Sequence, residues 1–197
     1  MSSVVYEYGG GLYINLTNKC PCACEFCIKN YTDGLGTADT LLLDYEPTIE
    51  EVVNELENWN VASYGEVVFC GYGEPTERLD DLLDIARWIK VNYRKKIRIN
   101  TIGLANLRYG CDITPKLSGL IDAVNVSMNE ADAEKYTDLC HPEFGPAAYD
   151  AMLDFITRVK KYVPKVTCSV VSGSLPKESI DICAEKAAEL GVGFRVR

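Results

Sequence analysis

The chain has 197 residues, 47% hydrophobic and 25% charged, which suits one globular domain over 1–197 and is short for a complete (β/α)8 barrel. Its net charge of −9 disfavours a long nucleic acid as the main partner. No apolar run is long enough to span a bilayer, and the opening MSSVVYEYGGG lacks the charged and apolar regions of a signal peptide, so a cytoplasmic protein with no membrane partner is expected.

Short β-rich runs alternate with longer helical patterns. LYINLT (12–17) reads as the first strand. PTIEEVVNELENW (47–59) reads as a helix, started by a capping-box pair at Thr48 and Glu51, with Val52, Val53, Leu56 and Trp59 at helical spacing. EVVFCG (66–71) is a strand running into a glycine turn. RLDDLLDIARWIKVNY (78–93) is a helix with Leu79, Leu82, Leu83, Ala86 and Ile89 on one stripe. IRINT (97–101) is the third strand, and a short helix is expected around 114–121. AVNVSMN (123–129) is the fourth strand, and helices follow at 131–140 and 146–162. KVTCSVVS (165–172), PKESIDICAEKAAELG (176–191) and GFRVR (193–197) complete the pattern as strand, helix and strand.

Strands separated by helices pair in parallel through right-handed crossovers. The fold class expected is α/β, a partial (β/α)6 TIM-like barrel with parallel strands, laterally open between the first and sixth strands. Lys and Arg concentrate in 87–98 and 158–165, where helices end and strands begin. The opposite, active face is left with few cations, chiefly Lys19, Lys29, Arg78 and Arg108.

Nine cysteines are many for a chain of this length, and four crowd into residues 20–27. That crowding points to metal ligation rather than to a disulfide framework. Cys20, Cys24 and Cys27 follow a C-x3-C-x2-C spacing, with the aromatic Phe26 before the last. Soft thiolates suit iron–sulfur clusters and zinc. An iron–sulfur cube takes four cysteines when fully ligated, so three leave one iron open to a ligand. Cys22 keeps a second reading open, in which C-x-C-x-C-x2-C holds zinc or a purely structural cluster. Four thiolates packed this tightly would strain a zinc site, so Cys22 is expected to point away or to stand by as a spare thiol.

The C-x3-C-x-aromatic-C loop after a first strand resembles the signature of the radical S-adenosylmethionine (SAM) superfamily. The resemblance implies a [4Fe-4S] cluster on Cys20, Cys24 and Cys27, SAM chelating the fourth iron, and Phe26 beside the adenine. The following CGYGEP is similar to the family's Gly-Gly-Glu motif. It implies that Gly73 and Glu74 hold the SAM amino group with Gly71 and Tyr72 alongside, Tyr72 standing where the family often has glycine. At later strand ends the resemblance carries over Asn100 and Thr101, with Ile102 replacing an asparagine, and Ser127 and Asn129 near the SAM ribose.

Over nearly the full length the chain is similar to the small TatD family-associated radical SAM proteins. That implies reductive cleavage of SAM to a 5′-deoxyadenosyl radical that abstracts hydrogen from a substrate the resemblance does not supply. It also implies an external one-electron donor of flavodoxin or ferredoxin type and an associated TatD-type hydrolase. The alternatives are a glycyl-radical activase acting on a partner protein, a small-molecule enzyme of pterin or deazapurine chemistry, and a non-enzymatic iron–sulfur or zinc module. Cys140 and His141, the only histidine, are the remaining candidates for catalysis. Cys70, Cys111, Cys168 and Cys183 are expected to be buried small hydrophobes.

Overall fold

A computed structural model describes residues 3–197. Met1 and Ser2, which open the stretch read as lacking a targeting segment, lie outside the described residues. Seven strands are ordered β1-β2-β3-β4-β5-β6-β7 in one sheet. Every pairing described from β2 onward is parallel, and only β1 (Val5–Tyr8) and β2 (Gly11–Ile14), at one end of the order, run antiparallel. Among the described residues no helix is long and apolar enough to cross a membrane. The chain divides into two compact units.

The first unit comprises the chain up to Cys20, Ile28–Asn100 and Leu120–Asp122. Its first strand was not expected from the sequence. β1 and β2 form a hairpin closed by Gly9 and Gly10 at φ 56° and 80°, the left-handed pair that a two-residue turn requires. β2 pairs with β3 (Glu66–Phe69), which pairs with β4 (Lys96–Thr101), aligning Leu12, Val67 and Ile97. The helix α1 (Ile49–Glu57) starts at Thr48 with the capping box complete: Thr48 accepts from the Glu51 amide, and the Glu51 side chain accepts from the Thr48 amide. A 3-10 turn, Pro75–Arg78, leads into α2 (Leu79–Tyr93), which buries Leu79, Leu82, Leu83, Ile85, Ala86 and Ile89.

The second unit comprises Pro21–Cys27, Thr101–Gly119 and Ala123–Arg197. Here the expected helix at 114–121 is corrected. A helix lies earlier, α3 (Ala105–Tyr109), and 114–117 is a 3-10 turn with a proline at its start. The physical reason is local: Gly110 ends α3 at φ 63°, and the side chains of Asn106 and Asp112 accept from the amides of Ile113 and Thr114. Five residues show too little periodicity to be read in advance. The strands β5 (Ala123–Ser127), β6 (Lys165–Val170) and β7 (Gly193–Val196) pair in parallel. The helices α4 (Ala133–Cys140), α5 (Ala147–Val159) and α6 (Lys177–Glu189) occupy the expected segments. Cys168 and Cys183 are fully buried as expected, but Cys70 is only half-buried and Cys111 is exposed.

Candidate functional site

In the first unit the glycine turn after β3 is laced onto the segment that enters Cys20. The Gly73 amide donates to the Thr17 carbonyl at 3.0 Å, and the Glu74 amide donates to the Lys19 carbonyl at 2.8 Å. Glycine is required for that approach: a Cβ on Gly73 would stand 2.2 Å from the Thr17 carbonyl oxygen and 2.6 Å from that of Lys19. A Cβ on Gly71 would stand 1.9 Å from Asn15 Oδ1. Tyr72 is buried, and its hydroxyl donates to the Thr32 carbonyl. Glu74 is 3% exposed, and its Oε1 accepts from the Thr76 amide at 3.1 Å and the Thr76 hydroxyl at 2.6 Å. That carboxylate therefore caps the Pro75–Arg78 turn, whatever else it does.

Beside this turn the Thr17 hydroxyl donates to Glu46 at 2.6 Å and holds the Glu46 carboxyl below its ordinary range, and Lys19 pairs with Glu46 at 3.2 Å. Asn100 Oδ1 accepts from Arg98, which also pairs with Glu66 at 2.8 Å.

In the second unit the rest of the cysteine stretch is clamped to the end of α4. The amides of Ala23 and Glu25 donate to the carbonyls of Cys140 and Leu139 at 3.0 and 3.1 Å, and the Glu143 amide donates to the Pro21 carbonyl at 2.8 Å. Cys22 and Pro142 form an antiparallel bridge. The last carbonyls of a helix lack intrahelical partners, and here the loop supplies them. The Cys27 amide donates to the Cys24 carbonyl at 3.1 Å, which folds the last two cysteines of the spacing into one turn.

The two candidates for catalysis have structural duties in this clamp. His141 is the left-handed cap of α4 at φ 44°, with Nε2 3.3 Å from Glu25 Oε1. Cys140 is fully buried, and its sulfur accepts from Asn129 Nδ2 at 3.5 Å. Asn129 itself is left-handed at φ 62°, and its Oδ1 is buried with no hydrogen-bond partner among the described residues. Thr101 is buried, and its hydroxyl accepts from the Gly103 amide at 3.0 Å. Ser127 is buried, and its hydroxyl accepts from Arg197 at 2.8 Å. Burial drives the Tyr136 hydroxyl far above the ordinary tyrosine range, and the Cys22 and Cys140 thiols near it push the same way.

The four clustered cysteines differ in exposure. Cys20, Cys24, Cys27 and the neighbouring Phe26 are half-exposed, whereas Cys22 is buried at 7%. Three half-exposed soft thiols, with the fourth sunk into a backbone ladder, fit a three-cysteine [4Fe-4S] set better than a closed four-thiolate site. The unpartnered Asn129 Oδ1 is an acceptor able to take an amino or hydroxyl donor. Among the described residues no three His, Cys, Asp or Glu side chains are gathered as a metal site, so the donor assignment rests on spacing and exposure.

Sequence reasoning overlooked Arg195 and Arg197. Their signal was the i, i+2 spacing in GFRVR, which places both on one face of β7 and its continuation. Three of the four cations that it did name are engaged with carboxylates: Lys19 with Glu46, Arg78 with Asp81 at 2.5 Å, and Arg108 with Glu143 at 2.6 Å.

The chain is 25% identical over 174 residues to molybdenum cofactor biosynthesis protein 1 of Dictyostelium discoideum, over 86% of this chain but only 25% of that protein. Among solved structures it is similar to Streptococcus suis SuiB bound to the precursor peptide SuiA, with a TM-score of 0.71 and 17% identity over 98% of this chain and 40% of SuiB. It is also similar to a radical SAM methyltransferase from Sphaerobacter thermophilus, with a TM-score of 0.68 and 15% identity over 98% of this chain and 57% of that one. The chain thus spans a quarter of the curated relative and about half or less of these structures. At such identities the likeness shows the fold, the laterally open partial (β/α)6 barrel expected from the sequence. The sequence profile of the radical SAM superfamily matches residues 14–186, nearly the whole chain. With a match of that extent, the chain belongs to the radical SAM superfamily, enzymes that bind a [4Fe-4S] cluster and S-adenosylmethionine.

Proposed function

We propose that residues 1–197 form a radical SAM core domain that cleaves SAM reductively. Cys20, Cys24 and Cys27 hold the cluster, and the Gly71–Glu74 turn receives the methionine end of SAM. The observation that carries this reading is the contrast within one short stretch: the three cysteines at the family spacing are half-exposed, and Cys22 is buried. When bound, the cluster supplies the electron that breaks a carbon–sulfur bond of SAM to give methionine and a 5′-deoxyadenosyl radical.

The chain's own residues bind and orient. Lacing of Gly73 and Glu74 onto Thr17 and Lys19 fixes the turn against the entry to Cys20. The Glu74 carboxylate is the partner in this reading for the SAM ammonium, through a charge-assisted hydrogen bond. Phe26 offers a face for the adenine. Asn129 Oδ1 and the Ser127 hydroxyl offer acceptors for the ribose, and Asn100 and Thr101 complete the strand-end set. The electron comes from an external donor of flavodoxin or ferredoxin type. A TatD-type hydrolase as an associated protein, and the TatD-associated subfamily, rest on the sequence resemblance alone. Membership in an enzyme superfamily speaks against the non-enzymatic metal-module reading.

The test is anaerobic reconstitution of wild type and of Cys20→Ala, Cys24→Ala and Cys27→Ala, followed by reduction and electron paramagnetic resonance with and without SAM. Wild type is expected to give a [4Fe-4S] signal that shifts on adding SAM. A signal unchanged by SAM, or one retained in all three variants, would count against the proposal.

A further inference from the structure

Parallel strands covered on both faces read as near-continuous apolar runs. The strands β5, β6 and β7 do not. One face is apolar, with Val124 and Val126 on β5 and Cys168 and Val170 on β6, and Val126, Met152 and Phe155 converge around Gly103. The other face carries Asn125, Ser127, Ser169 and Arg195, with Arg197 just beyond the end of β7. The register sets Ser127, Ser169 and Arg195 side by side across the three strands.

Burying polar groups costs stability unless they are hydrogen-bonded. Asn125, Ser127 and Ser169 are 1%, 7% and 0% exposed. They satisfy one another and position two guanidiniums. Asn125 Nδ2 donates to the Ser169 hydroxyl at 2.9 Å, Arg195 Nε donates to Asn125 Oδ1 at 3.0 Å, and Arg197 Nη2 donates to the Ser127 hydroxyl at 2.8 Å. The partner of Arg195 is neutral, and it meets no carboxylate among the described residues. Its exposed head therefore keeps both Nη groups for a ligand. In a chain of net charge −9, a guanidinium held by buried neutral oxygens is poised for an outside anion.

We propose that Arg195 and Arg197 form a subsite that binds an anionic group, carboxylate or phosphate, of the substrate. The proposal rests on the reading that radical SAM chemistry occurs at the C-terminal ends of these strands. Ser127 closes β5 at that end, and chemistry in α/β folds sits there. Asn125, Ser127 and Ser169 act as positioning residues behind the two arginines.

The test is calorimetric titration of inorganic pyrophosphate and of malonate into the reconstituted protein, with and without SAM. Wild type is expected to bind at least one of them saturably, one per chain, with SAM not displacing it. Arg195→Ala and Arg197→Ala are each expected to weaken that binding about tenfold or more, the worth of a charge-assisted hydrogen bond. Arg195→Lys, which keeps the charge without the fork, should fall between. Arg195→Gln keeps a donor for Asn125 and serves if the alanine variant does not fold. Tighter pyrophosphate assigns a phosphate, and tighter malonate assigns a carboxylate. The proposal is overturned if wild type binds neither probe, or if the variants bind as wild type does. It is also overturned if SAM displaces the probe and the variants lose SAM affinity, because the anion would then be the SAM carboxylate. If wild type fails to bind SAM or a cluster, the radical SAM reading itself fails, while the probe titration still reports on the arginines.

Discussion

The amide of Ala23 donates to the carbonyl oxygen of Cys140 at 3.0 Å, and with it the end of α4 becomes the template for the cysteine stretch. The Glu25 amide repeats the contact one residue earlier on the helix, and Cys22, just before the first donor, forms a bridge to Pro142. This ladder turns Cys22 inward while Cys24 and Cys27 stay half-exposed.

Cys22→Ala should therefore retain iron and sulfide close to wild type, and Cys24→Ala should lose them. Truncating the buried Cys22 side chain should cost about 1 kcal/mol of stability. Iron and sulfide analysis with urea unfolding checks both halves. Loss of the cluster from Cys22→Ala and its retention in Cys24→Ala would bring back the four-cysteine structural reading.

Gly73→Ala should be among the more damaging single changes in the first unit. The new Cβ would meet two backbone oxygens, which cannot swing aside as a side chain can. A cost of about 1–3 kcal/mol or more is expected, with weakened SAM binding because the turn must move. Gly65→Ala, with open space around its Cβ, is the control and should change stability little. Thermal unfolding of the two variants reads the difference.

Glu74 has two roles that can be separated. As the cap of the Pro75–Arg78 turn, its replacement by alanine should cost about 1 kcal/mol of stability. As partner of the SAM ammonium, the same change should weaken SAM by about 1.5–3 kcal/mol. Glu74→Gln keeps an acceptor for Thr76 and removes the charge. It should recover most of the stability but little of the SAM affinity, which unfolding and SAM titration measure side by side. Equal recovery of both would mean that Glu74 is only a cap.

Burial pushes the thiols of both Cys168 and Cys183 up to about 12 from an ordinary 9.0, with a smaller push from Cys183 on Cys168 and from Glu130 on Cys183. Between those limits the unfolded chain has released these protons and the native chain has not. Stability from these groups is fully present below pH 9 and is lost as pH rises toward 12. Urea unfolding across that range should show a falling free energy, and Cys168→Ala with Cys183→Ala should flatten the fall. An unchanged slope in the double variant would mean that other groups carry it.

Much of this was legible in the sequence because the signals were periodic or chemical. The stripe on α2, the capping box at Thr48 and Glu51, and the parallel pairings within β2 to β4 and within β5 to β7 follow from pattern alone. The glycine turn was legible as a turn, although its close approach to Thr17 and Lys19 was not. β1 escaped because the Gly9–Gly10 hairpin lies in a stretch read only for targeting signals. α3 is too short to show a period. His141 and Cys140 looked like chemistry because of their side chains, but a helix cap and a buried thiol depend on where α4 ends. Arg195 and Arg197 looked like ordinary strand residues until the register placed Asn125 and Ser127 beneath them.

The most direct test of the central claim is SAM cleavage itself. Anaerobically reconstituted wild-type protein, carrying a full cluster and reduced with dithionite, should convert SAM to 5′-deoxyadenosine and methionine in equal amounts, as chromatography of the quenched reaction would show. A full cluster that yields no 5′-deoxyadenosine with surplus SAM and reductant would contradict the assignment of this chain as a working radical SAM core.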